Sequence, residues 1–121
     1  MSDKKEREKL TVDQNILERD EYLRRTVESL VKYYSPVQIY LFGSKARGEE
    51  GPHSDYDLLV VVEKKVPREK RIGFYDLRWK MGLTKATDVV LFTREGFEWR
   101  LQVRNSLPSV VREEGKLLYA A

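Results

Sequence analysis

Asp55 and Asp57 stand one residue apart at the head of an apolar run, Leu58 to Val62. In a strand, residues two apart project to the same side, so the two carboxylates share a face. Like charges placed side by side repel unless a cation lies between them. Hard divalent ions such as Mg2+ take oxygen donors of this kind, commonly completed by substrate phosphates. Upstream, Val37 to Phe42 is β-branched and aromatic enough for a strand, and Gly43-Ser44 ends it. Glycine there permits a sharp turn and a close backbone approach to a ligand. Ser44 adds a hydroxyl, and the amides that follow can face an anion such as phosphate. Lys45 and Arg47 lie just beyond, where phosphate charge would be held, although either is equally at home in solvent. A phosphate cradle followed by a metal-binding pair implies nucleotidyl transfer.

These residues need a frame. Residues 1–10 are nearly all charged and are expected to form a disordered arm, leaving 11–121 as a single domain. A helix is predicted after Thr11-Val12-Asp13-Gln14, which has capping-box spacing. Its apolar stripe is Ile16, Leu23, Val27, Leu30, Val31 and Tyr34, and Ser35-Pro36 stops it. Glu49 to Ser54 is turn chemistry leading to the aspartates, and His53, the lone histidine, reads as an exposed loop residue. The second strand runs to about Glu63, and a helix from Pro67 to Met81 ends at Gly82. Ile72, Phe74, Tyr75, Leu77, Trp79 and Met81 surround more of that helix than one buried stripe requires. That fits either a partner-facing surface or a helix deep in the core. A third strand over residues 86–92 places Asp88 near its start; Pro108 to Glu114 is a short helix and Lys116 to Tyr119 a final strand. The fold class is α+β, a small mixed β-sheet with helices packed on it.

Composition narrows the function. At 121 residues the chain has room for one core. It has no cysteine, so disulfides and thiolate metal sites are excluded. No apolar run is long enough for a bilayer span and no signal segment opens the chain, so a cytoplasmic protein is expected. The net charge of +3 is spread over many positions and forms no basic tract, which disfavours nucleic acid as a partner.

The ordered set Phe42, Gly43, Ser44, a spacer, then Asp55, Tyr56, Asp57 and Leu58 resembles the polymerase-β-type nucleotidyltransferase superfamily. It is most similar to the minimal members paired with HEPN-domain toxins. The resemblance spans about residue 13 to Tyr119 and implies the nucleotidyltransferase fold. It also implies a third metal-site carboxylate on a later strand, which Asp88 fits. Two Mg2+ ions held by Asp55, Asp57 and Asp88 are then expected, with ATP or another NTP on Gly43, Ser44, Lys45 and Arg47. AMP transfer to a tyrosine of a cognate HEPN toxin follows from the same resemblance, and a homo-oligomer is compatible with it. Between Gly96 and Arg104 the apolar residues alternate as in a strand, whereas the resemblance implies a helix; helix is expected. Two rival classes stand beside catalysis: an antitoxin acting only by binding its partner, and a nucleic-acid-binding module. The latter lacks a basic-aromatic platform.

Overall fold

The computed structural model describes residues 11–48 and 55–121; the charged arm and the Glu49–Ser54 loop with His53 lie outside them. In chain order the elements are α1 (Gln14–Arg19), α2 (Glu21–Tyr34), β1 (Gln38–Phe42), α3 (Gly43–Ala46) and β2 (Tyr56–Val62). They continue with α4 (Arg68–Lys80), β3 (Thr87–Thr93), α5 (Arg94–Leu101), α6 (Leu107–Glu114) and β4 (Lys116–Ala120). The sheet has four strands in the order β3-β2-β1-β4. β1 is antiparallel to both β2 and β4, while β3 runs parallel to β2, so the sheet is mixed. A parallel pair needs a crossover, and α4 supplies it.

β2 is the centre of the core because both of its faces are covered. Leu58, Val60 and Val62 join Leu23, Val27, Leu30 and Phe74 of α2 and α4 on one side. Leu59 and Val61 meet Phe97 and Val111 of α5 and α6 on the other. The unbroken apolar run in the sequence is the signature of such a doubly covered strand.

The expected single N-terminal helix is two helices. Asp13, not Thr11, caps α1, its Oδ1 accepting from the Ile16 amide at 3.2 Å. Asp20 then breaks the run and caps α2 by accepting from the Leu23 amide at 3.0 Å. An Asp side chain that bonds the backbone ahead of it competes with helix continuation and favours a new start. The 96–104 ambiguity resolves as helix α5 up to Leu101, with a turn over 102–104; its N-cap Thr93 accepts from the Gly96 amide at 3.0 Å. Ser106 caps α6, Pro108 occupies its first turn, and the helix stops at Gly115. No helix among the described residues is long and apolar enough to cross a membrane.

Candidate active site

Asp57 is the second residue of β2, in register with Phe42 of β1 on one side and Asp88 of β3 on the other. Residues paired across neighbouring strands put their side chains on the same face. Asp57 and Asp88 are therefore side by side, at the strand ends where β2 and β3 begin. Asp88 is exposed and Asp57 half-buried, with Asp55 exposed just ahead of the strand.

The backbone opposite this pair is Gly43. Its φ of 76° lies in the left-handed region that side chains avoid, and a Cβ there would run into Oδ2 of Asp57. Glycine at this point thus serves both the turn out of β1 and the contact with the carboxylate. Ser44 follows in α3, half-buried, and Ala46 seals the short helix into the core.

Charge is concentrated at Asp57. Burial holds its carboxyl above the ordinary range, and the neighbouring Asp88 and Asp55 carboxylates push it further in the same direction. A site in which burial and like charges both oppose ionisation gains most from a bound cation. The donor set is entirely oxygen, as a hard divalent ion requires, and the glycine removes the side chain that would crowd it. The residues present therefore fit a magnesium-type ion. Among the described residues, however, no three acidic or imidazole groups close into a compact ligand cluster by themselves. The structure brings Asp57 and Asp88 together, while Asp55 reaches them through its charge.

The two cations expected near the phosphates are placed differently from each other. Arg47 is exposed directly after α3. Lys45 lies with its Nζ 4.4 Å from the ring centroid of Tyr56. Tyr56 precedes Asp57 in the strand and so points to the opposite face of the sheet. There Lys45 lines a cavity of about 150 Å³ with Ile16, Arg19, Asp20, Leu23, Leu41 and Tyr56. The Tyr56 hydroxyl donates to Oδ2 of Asp20 at 2.8 Å, and its ring stacks on Tyr22 at 5.3 Å.

Sequence reading missed this rear support. Asp20 carries no role in the sequence reading, and Tyr56 enters it only as the residue between the two aspartates. The one signal available was an acidic residue at position 20, in the line of the apolar stripe, which marks a possible helix start but not its partner across the chain.

Several solved structures share the fold, three of which illustrate it. A toxin–antitoxin with AMP-PNP superposes at a TM-score of 0.53 with 21% identity, covering 80% of this chain and 73% of that one. A mutant MntA–HpeT toxin–antitoxin gives 0.54 with 17% identity, covering 81% and 72%. A protein from Sulfolobus solfataricus described as a nucleotidyltransferase gives 0.52 with 19% identity, covering 83% and 78%. No curated protein matches the sequence. The sequence profile of the nucleotidyltransferase domain matches residues 21–117, a span that runs from α2 into β4 and contains Gly43, Ser44, Asp55, Asp57 and Asp88. The chain belongs to the nucleotidyltransferase domain family.

Proposed function

We propose that this protein is a Mg2+-dependent nucleotidyltransferase that moves AMP from ATP to a tyrosine hydroxyl of a HEPN-domain toxin, acting as that toxin's antitoxin in the cytoplasm. The observation that carries the reading is the direct register of Asp57 with Asp88 against the bare backbone of Gly43. Family membership supplies the reaction class. The donor and the partner come from the shared fold with a toxin–antitoxin solved with AMP-PNP, and from the motif resemblance.

Asp55, Asp57 and Asp88 would hold two Mg2+ ions, which when bound neutralise phosphate charge and activate both the entering and the leaving oxygen. The chain's own groups divide the remaining work. The Gly43 backbone and the Ser44 hydroxyl bind the β- and γ-phosphates, with Arg47 at the exposed side. Asp88, the more exposed of the register pair, receives the proton of the acceptor hydroxyl on a carboxylate oxygen. The acceptor oxygen forms the new bond to the α-phosphorus as the bond to the bridging oxygen breaks, and pyrophosphate leaves. No serine, cysteine or histidine of the described site is set up as a nucleophile, so the transfer is direct.

In this reading the acceptor tyrosine is brought by a partner protein. The α4 helix offers a place for one. Ile72, Tyr75 and Trp79 fall on one stripe at helical spacing and are 55%, 44% and 71% exposed. This stripe is also what favours the second reading, an antitoxin that silences its partner by binding alone. One experiment separates them: incubation with labelled ATP, Mg2+ and the product of the neighbouring gene, followed by mass spectrometry of both proteins. Nucleotide added to a partner tyrosine supports catalysis. Neutralisation of the partner with no mass change supports binding alone.

A further inference from the structure

Directly behind the register pair Asp57–Asp88 lies a second register pair, Tyr56–Thr87, on the other face of the sheet. Its surroundings converge on one hydroxyl. The Tyr22 oxygen accepts from the Lys85 amide at 2.8 Å and from Nη2 of Arg78 at 3.2 Å, and donates to the Lys85 carbonyl at 3.3 Å. A phenol offers one donor and two acceptor positions, and all of them are used here. Arg78, only 7% exposed, also donates from Nη2 to the Lys85 carbonyl at 2.8 Å, and the Thr87 hydroxyl donates to that same carbonyl at 3.0 Å. The Tyr22 ring stacks on Tyr56 with an interplanar angle of 26°, and the Tyr56 amide donates to the Ala86 carbonyl at 3.1 Å. The starts of α2, β2 and β3 and the end of α4 thus meet at Tyr22.

We infer that the Tyr22 hydroxyl is the positioning group that keeps the starts of β2 and β3 in register, and with them the Asp57 and Asp88 carboxylates side by side. Strand ends fray, and two like charges at the end of a parallel pair drive them apart. The bonds of Tyr22 to both the amide and the carbonyl of Lys85 fix the entry of β3. Its ring fixes Tyr56 at the entry of β2. The clamp is built entirely on the face away from the carboxylates, so it orders them without touching any ligand. Its consequence for metal binding rests on the reading of the site given above; the clamp itself is a property of the sheet.

Tyr22→Phe keeps the stacking and removes the hydroxyl. Tyr33→Phe is the matched control, because Tyr33 also donates its hydroxyl to a backbone carbonyl between α2 and α4, that of Lys70 at 2.7 Å, away from the carboxylates. Amide hydrogen exchange is measured on the ligand-free proteins, and Mn2+ binding is titrated by paramagnetic resonance. In Tyr22→Phe the amides of residues 56–58 and 87–89 should exchange about tenfold faster, with those of the β1–β4 pairing unchanged, and Mn2+ affinity should fall about tenfold. Tyr33→Phe should lose comparable thermal stability with neither effect. Unchanged exchange at 56–58 and 87–89 in Tyr22→Phe, or an equal response in Tyr33→Phe, would overturn the inference. If the wild-type protein binds no Mn2+, the metal reading fails, and the exchange arm still decides the clamp. Should Tyr22→Phe not fold, Thr87→Val removes only the Thr87 hydroxyl from the same carbonyl and is read by the same two measurements, with acceleration confined to 87–89 expected and its absence overturning.

Discussion

Gly43 and Asp57 meet across the β1–β2 pair: a Cβ on the glycine would clash with the aspartate's Oδ2. Gly43→Ala therefore meets two penalties at once. An alanine at a φ of 76° costs about 1–2 kcal/mol in backbone strain. The methyl must also displace the carboxylate that stands beside Asp88. We expect a measurable loss of stability in urea and a larger loss of Mn2+ affinity. A variant that melts lower yet binds Mn2+ as well as the wild type would show that the close approach matters only to the fold.

Asp57→Asn should act on stability and activity in opposite directions. The carboxyl's folded-state pKa is raised by burial first and by Asp88 and Asp55 next. A raised carboxyl stabilises the fold when protonated, and that contribution is lost as pH rises from below the unfolded value through the folded one. At pH 7 the ionised group is thus a net liability. Asn should raise the melting temperature there by roughly a few degrees. The gap should close as pH falls below the ordinary carboxylate range. Addition of Mg2+ should stabilise the wild type and not the variant. Nucleotide transfer should drop by orders of magnitude, because the charge that holds the ions is gone. Melting scans across pH, with and without Mg2+, check the sign.

Much of this site is legible in the sequence because its logic is local. A glycine ending an apolar strand, two aspartates opening another and a later Thr-Asp-Val-Val each imply a strand boundary, and the structure pairs those boundaries. The misreadings have long-range causes. Ile16 and Leu23 keep the apolar rhythm of one helix. Nothing local says that Asp20 bonds forward to Leu23 and across the chain to Tyr56. Around 96–104 the expected helix forms, on the strength of the resemblance and against an alternation that local pattern alone reads as strand: Phe97 is buried and Trp99 points to solvent. Arg78 could not be picked out at all: a buried arginine and a surface one look the same until a fold surrounds one of them.

Asp88 and Ser44 should separate chemistry from binding. If Asp88 receives the acceptor's proton, Asp88→Asn should nearly abolish transfer while leaving nucleotide affinity close to that of the wild type. Ser44→Ala should instead weaken nucleotide binding by about 0.5–1.5 kcal/mol, the size of one hydrogen bond, with a smaller effect on turnover. Calorimetric titration with a non-hydrolysable ATP analogue, beside single-turnover transfer assays, reads the two effects. Equal losses of affinity in both variants would assign Asp88 to the triphosphate and leave the proton without a base.

The α4 stripe can be tested without touching the carboxylates. The chain has two tryptophans, and both Trp79 and Trp99 are well exposed, at 71% and 63%. In a Trp99→Phe background the emission of Trp79 should be that of a solvated indole and shift to the blue when the proposed HEPN partner binds. Trp79→Asp places a charge where an apolar anchor is expected and should weaken partner binding by about 2 kcal/mol or more, since aromatic anchors at interface centres carry that much. Mn2+ affinity and amide exchange at the start of β2 should stay as in the wild type. If Trp79→Asp binds the partner with unchanged affinity, the stripe is not the docking face, and the acceptor tyrosine reaches Asp88 by another approach.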